Sequence, residues 1–495
     1  MGIVRRQSIY NAALIYLGVA IGFCNKVVIF QYYLTQAEYG MLGLIASAMV
    51  LGSELSQFGA ARLVYRFFPH FKRDPAREGA FAMFVLLYVL AGYVLALLLL
   101  LPIRGHLVGF FADNSPLFTS QFWLLLPAIL AHTFYRVSEA MARSHLRSVV
   151  PTLTWEVLVR LWQTVVVLLY AFDWLTFDAF AAGYVLSFFV PGVIIIAYLI
   201  YQKKLRLSLD FSVLRRRAIR VLVRFSLMTS LSYVAYFVVL RVDVFMVGGL
   251  LNEAAAGAYD FAFYLVYMML TPTKSISSIT LPLLSDHLKH RRMAAIQDLH
   301  HRSSTTGLIL AQLLFLLMYI NLDAFFQVFP KFSEAQSVII LLGLGNLSTV
   351  LVMSMRWLII NSRHYRFDLI SSLLFMAVVV GGNFWLIPLM GIDGAALATA
   401  ISLLLYNASG AIYVRHYFGL SALNRAKWLA LALLGLCLLL GLNLPTLPNP
   451  WADMVLRSAI MLPVYVGAVL ALRLSPDLND TAWLALRKLG WKVNP

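Results

Sequence analysis

The chain has 495 residues, 61% of them hydrophobic and 12% charged, with a formal net charge of +17 and a mean hydropathy of +0.82. No soluble domain of this length buries so much apolar surface, whereas a bilayer is itself an apolar solvent, so the composition excludes a soluble globular protein. Continuous apolar runs of about 20 residues exclude a β-barrel, and a basic excess held in short loops between them reads as membrane topology, not nucleic-acid binding.

Taken in chain order, the runs predict an all-α, polytopic membrane protein of about fourteen transmembrane helices. The first, 9–33, follows Arg5 and Arg6; it is too long for a signal-peptide core and meets no small-residue cleavage site, so it is expected to persist as a helix. The next are 41–66, 80–102, 117–142, 151–171 and 178–201. A basic connection, 202–224, is the longest in the chain and is still too short for a folded extramembrane domain. Beyond it lie 225–249, 258–284, 303–329, 337–361, 367–389 and 393–416, then 427–444 and 453–474. The tail from Asp477 to Trp491, with Trp483, Leu484, Leu486, Leu489 and Trp491 among Arg487, Lys488 and Lys492, has the pattern of an interfacial amphipathic helix.

Loop charges test this alternation. Connections on one side carry 29 of the 39 Lys and Arg residues, whereas the other side holds only Arg104 and Lys331. A missed or false span would invert the pattern downstream, and no inversion occurs. Both termini are therefore expected on the cytoplasmic side, with an even number of spans.

Eight cations remain inside the spans: Lys26, Arg62, Arg136, Arg160, Arg241, Lys274, Arg356 and Arg457. A charge at the bilayer centre costs about 2.5–3.5 kcal/mol, so each needs an aqueous, paired or interfacial setting. Arg136 with Glu139, and Glu156 with Arg160, are spaced to pair on one helix face. Arg356 and Arg457 lie near span ends, within snorkelling reach of the interface. Lys26, Arg241 and Lys274 are deeper; facing lipid, the three together would cost on the order of 8–10 kcal/mol. Pro272, two residues before Lys274, is expected to kink its span. Arg62 is nearer the cytoplasmic end, where snorkelling competes. Lys26, Arg62, Arg241 and Lys274 fall on the first, second, seventh and eighth spans, the opening pair of each half, and suit a polar passage for an anionic substrate. The competing reading is a set of ion pairs with Glu54 and Asp243, two intramembrane acids that also suit counter-ion or coupling-ion roles.

An internal repeat underlies the two halves. Leu34-Thr35-Gln36-Ala37-Glu38-Tyr39-Gly40 follows the first span and Leu251-Asn252-Glu253-Ala254-Ala255-Ala256-Gly257-Ala258-Tyr259 follows the seventh. Lys26 lies 14 residues before Gly40, and Arg241 lies 16 before Gly257. The expected plan is two six-helix lobes, 1–210 and 211–420, related by a parallel repeat about the membrane normal, with 421–495 holding the last two helices and the tail. There is no Walker-type Gly-rich loop, so no ATPase is expected. His287, His290, His300 and His301 read as a solvated cytoplasmic face, and Cys24 and Cys437 as core residues. No cofactor, metal or nucleic-acid partner is expected.

Glu38-Tyr39-Gly40, Gly257-Ala258-Tyr259 and the stretch Gly391-Ile392-Asp393-Gly394-Ala395-Ala396-Leu397-Ala398-Thr399 resemble the polysaccharide transporter family, the O-antigen flippases, within the multidrug/oligosaccharidyl-lipid/polysaccharide exporter superfamily. The likeness covers nearly the whole chain through short motifs. It implies a non-enzymatic exporter of the bacterial inner membrane that moves an undecaprenyl-pyrophosphate-linked glycan by alternating access, for surface polysaccharide and lipopolysaccharide biosynthesis. The implied partners are that lipid-linked glycan, membrane lipids and other polysaccharide-assembly membrane proteins. The resemblance also implies that Lys26, Arg241 and Lys274, with Arg62, meet the sugar-pyrophosphate charge. Three other readings stay open. A lipid II flippase shares the plan. A cation-coupled drug antiporter of the same superfamily is opposed by Lys26 and the two extra helices. A membrane glycosyltransferase or polymerase would need a sizeable extramembrane loop for its catalytic groups.

Overall fold

The computed structural model describes residues 2–72, 74–214, 216–362 and 364–488. Among them the regular structure is helical throughout. Eleven helices are long and apolar enough to cross a membrane, and Glu253–Met269 with Thr271–Lys289, bent by 45° between them, makes a twelfth. The bend falls where Pro272 predicts it. The fourth and seventh expected spans fall on the helices Leu125–Ser144 and Arg216–Leu250, which that count among the described residues leaves out. The chain is a multi-pass helical membrane protein. Its contacts gather into two compact units, Met1–Asp260 and Phe261–Pro495.

In the first unit, the helix Gln36–Ser56 is the buried axis, packing on Arg216–Leu250, Leu125–Ser144 and Pro75–Ala112. Its small residues Gly40, Gly43, Ser47, Gly52 and Ser53 let neighbouring backbones approach. It opens with a capping box: Thr35 Oγ1 accepts from Glu38 N (3.2 Å) and Glu38 Oε2 accepts from Thr35 N (2.7 Å). The second expected span is not one helix. It breaks at Phe58 and Gly59, both left-handed (φ 43° and 76°), and restarts as Ala60–Phe71. A Cβ on Gly59 would lie 2.6 Å from the Ser226 carbonyl oxygen, so both the conformation and the space select glycine.

The first span runs as Gly2–Phe23, then as a π-helical turn at Cys24–Ile29, then as Phe30–Tyr33. A second π-turn, Thr154–Leu158, packs against the first helix. Asn25 joins the two spans, its Nδ2 donating to the Arg160 carbonyl (2.8 Å) and its Oδ1 accepting from Thr164 Oγ1 (2.7 Å). Of the two cysteines, Cys437 is buried as expected, but Cys24 is exposed.

In the second unit the axis is Met293–Ile320, packing on Thr271–Lys289, Gln336–Leu351, Arg425–Leu442 and Pro450–Ala471. The tenth span breaks between Gln336–Leu351 and Met355–Ile360. Several charges expected at interfaces or in loops lie inside this unit. Arg356 bonds Asp368 (3.0 Å) and stacks over the Tyr406 ring (3.1 Å to its centroid), and Arg457 pairs with Asp453 at 2.9 Å. Both are therefore neutralised locally, and snorkelling does not describe them. His300 and His301 lie on Met293–Ile320, not on a solvated loop, and His300 is buried. The tail forms the helix Pro476–Lys488, tied down by Asp477 to Arg302 at 2.6 Å. Leu489, Trp491 and Lys492 of the expected amphipathic segment lie outside the described residues, as do the side chains of Leu486, Arg487 and Lys488.

Candidate functional site

The two repeat motifs meet in the first unit. A Cβ on Gly40 would overlap the Glu253 carbonyl, and one on Gly257 would come 2.8 Å from the Gln36 carbonyl oxygen. Only glycines allow these backbones to touch. The acids of the two turns are engaged in structural bonds. Glu253 accepts from the N–H groups of Leu117 (3.3 Å) and Phe118 (3.1 Å), and Glu38 accepts from the Tyr170 hydroxyl at 2.6 Å.

One helical turn beyond each glycine the facing pair is Gly43 and Asp260. A Cβ on Gly43 would lie 3.2 Å from Asp260 Cβ, so the missing side chain leaves room for the carboxylate. Both oxygens of that carboxylate meet a predicted site residue. Lys26 Nζ donates to Oδ2 at 2.7 Å and Arg241 Nη1 donates to Oδ1 at 3.1 Å. Lys26 also lies 5.6 Å from the centroid of the Tyr39 ring. The Asp260 side chain is 2% exposed, whereas those of Lys26 and Arg241 are 25% and 26% exposed. Two cations thus share one carboxylate, and each keeps about a quarter of its side chain exposed. Chemically, that arrangement can take an anion.

Each of the acids weighed as partners for these cations has a bond to another residue. Glu54 lies 3.6 Å from Arg136 Nε, Arg136 reaches Glu139 at 3.2 Å and Glu139 takes Arg143 at 2.9 Å, so charge alternates along a ladder of the second and fourth spans. The expected Arg136–Glu139 and Glu156–Arg160 pairs form, the latter at 2.7 Å. Asp243 is buried and accepts from the Tyr259 hydroxyl at 2.8 Å. Arg62, on the short helix after the Gly59 break, donates to the Thr229 carbonyl at 3.0 Å. Lys274 belongs to the second unit, where its ammonium lies 3.4 Å from the centroid of the Tyr267 ring, just past the bend. The structure thus joins Lys26 and Arg241 through a residue that sequence reasoning does not single out. The available signal was the position of Asp260, one turn after Gly257.

The fold is shared with solved membrane transporters of low sequence identity. The lipid II flippase MurJ in an inward-closed conformation matches 93% of this chain and 99% of its own at 12% identity, with a TM-score of 0.72. A multidrug resistance MATE family transporter of the MOP superfamily, inward-facing, matches 83% of this chain and 97% of its own at 15% identity, with a TM-score of 0.61. A MOP superfamily transporter from Pyrococcus furiosus, whose binding pocket has reverse polarity suggesting a different function, matches 83% and 95% at 15% identity, with a TM-score of 0.53. No curated protein sequence matches the chain. The chain belongs to the polysaccharide biosynthesis protein family, whose profile matches residues 33–322. That stretch begins shortly after Lys26 and takes in Arg241, Asp260 and Lys274.

Proposed function

We propose that the protein is a flippase that moves a pyrophosphate-linked oligosaccharide lipid across the bacterial inner membrane by alternating access, for surface polysaccharide biosynthesis. The observation that carries this reading is the sharing of Asp260 by Lys26 and Arg241. In the absence of substrate, Asp260 holds two partly exposed cations in place. An incoming pyrophosphate competes for the same donors, supplying several oxygens where Asp260 supplies two. Lys274 and Arg62 add cationic contacts along the substrate's path, and Glu54 and Asp243 serve as counter-ion or coupling sites. Two six-helix lobes, 1–210 and 211–420, are the moving parts, with 421–495 as an addition. Both termini are cytoplasmic, and membrane lipids and other polysaccharide-assembly membrane proteins are its surroundings. No chemical step is assigned to the chain.

The family's polysaccharide description supports this reading, while the fold is one that lipid II flippase and multidrug transporters share. A lipid II substrate uses the same pyrophosphate chemistry and differs in the group that the pyrophosphate carries. The test is complementation. The chain is expected to restore surface polysaccharide in a bacterium lacking its own O-antigen flippase, and its deletion from the source strain to leave a lipid-linked oligosaccharide on the cytoplasmic side. Rescue of a strain lacking its lipid II flippase, without restored polysaccharide, would shift the assignment to peptidoglycan precursors. Loss of polysaccharide with no lipid-linked intermediate accumulating would point to a polymerase or transferase.

A further inference from the structure

Lys427, at the loop edge of the thirteenth expected span, lies at the start of the helix Arg425–Leu442 and is 0% exposed. A buried ammonium normally has a carboxylate beside it, because leaving water costs several kcal/mol. Among the described residues Lys427 forms no ion pair. Its ammonium instead faces three uncharged groups: the Ala422 carbonyl at 2.5 Å, His300 Nε2 at 3.1 Å and the Leu351 carbonyl at 3.2 Å. His300 Nε2 also lies 3.2 Å from the Ala422 carbonyl oxygen, and its Nδ1 lies 2.5 Å from Ser354 Oγ.

The two carbonyl acceptors exist because helices stop. Leu351 ends the helix Gln336–Leu351, and the N–H that would continue its ladder, Met355 N, turns to the Val352 carbonyl at 2.8 Å. Its oxygen is thereby released at the negative end of a helix dipole. Ala422 lies in the non-helical turn before Arg425. Released carbonyls at a broken span are where membrane transporters coordinate small cations. A shell of two neutral oxygens and an imidazole nitrogen suits a monovalent cation or ammonium better than a divalent ion, which favours carboxylates.

We propose that the break in the tenth span forms a cation site filled by the protein's own ammonium, a tethered ion that pins Leu351, His300 and the turn at Ala422 together. Emptied of the lysine side chain, the site would take ammonium or a primary alkylammonium ion from solution. The proposal stands apart from the assignment of a transported substrate, and its test needs none.

Purified full-length protein in detergent is melted in chloride salts of ammonium, methylammonium and N-methyl-D-glucamine at matched ionic strength. Lys427→Ala is expected to melt on the order of 5 °C or more below the wild type. Ammonium and methylammonium should recover about half of that difference by binding the folded state, and the bulky N-methyl-D-glucamine none. Lys427→Met, which refills the volume without a charge, should stay low in all three salts. Equal recovery in every salt, no recovery in any, or Lys427→Met melting with the wild type would overturn the proposal. Should Lys427→Ala fail to accumulate in membranes, Lys427→Arg decides: it keeps a cation and is expected to fold where Lys427→Met does not, and the reverse order overturns the idea.

Discussion

Lys26 and Arg241 share a single carboxylate and keep about a quarter of their side-chain surface exposed, whereas Lys427 is fully enclosed by uncharged groups. Both arrangements hold a cation within the apolar span of the chain, but they solve different problems. A carboxylate partner neutralises charge, so a cation bonded to it can trade that anion for another of the same sign with little net electrostatic change. A cage of carbonyls and imidazole supplies hydrogen bonds and no charge. The cation there stays because leaving would strand the carbonyls it bonds. Exchangeable charge and fixed charge can therefore be told apart by the partner's sign and by exposure.

The comparison breaks first at the exchangeable site. Lys26→Ala or Arg241→Ala removes a charge-assisted hydrogen bond of about 1.5–3 kcal/mol to an anionic substrate, so export should fall roughly 10–150-fold, with membrane insertion intact. Surface polysaccharide per molecule of inserted protein measures it, and unchanged export would remove the substrate-contact role. A sharper variant is the double substitution Lys26→Ala with Asp260→Asn. Lys26→Ala alone leaves the Asp260 carboxylate facing Arg241, and the second change removes that competing negative charge. Several-fold recovery of export over Lys26→Ala is expected, and a further loss would mean that Asp260 itself is needed in the transport cycle. Next in size, Gly40→Val should lower the melting temperature by several degrees, since overpacking costs about 1–3 kcal/mol. Gly105→Val, where nothing lies within 4 Å, is the matched control.

The smallest expected effect concerns a third way to bury a basic group, which is to leave it neutral. His145, at the loop end of Leu125–Ser144, is pushed down to about 4, first by burial and then by Lys72, Lys204 and Arg147. The unfolded chain therefore takes up this proton first as pH falls. The contribution of His145 is complete above its ordinary value of 6.5 and is lost progressively towards pH 4. Melting temperatures across that range should slope in the wild type and flatten in His145→Gln.

Much of the architecture was written in hydropathy and loop charge. Those signals depend on sums over many residues, and lipid leaves a helix little alternative. The bend before Lys274 and the pairs Arg136–Glu139 and Glu156–Arg160 were legible because proline chemistry and helical spacing act locally. The break at Phe58 and Gly59 was not, because an apolar run records length and hides a conformation imposed by the Ser226 backbone. The partners of buried charges were least legible. Asp260 meets Lys26 across 234 positions of sequence, and Lys427 meets His300 across 127. No periodicity spans such separations. The repeat glycines came nearest, since locating Gly40 against Gly257 fixes what faces what one turn further on.

The π-turn at Cys24–Ile29 has a genetic corollary. Such a turn is an α-helix carrying one residue more than its ladder needs. Deleting a single codon there would let the helix close normally, with the flanking helices keeping their faces and the residues inside the turn, Lys26 among them, re-aimed around the axis. Lys26 would swing away from Asp260 although every charged residue of the site was still encoded. In a lineage of such proteins, the site's alignment is therefore one insertion or deletion from being lost or regained, a smaller step than rebuilding it by substitution.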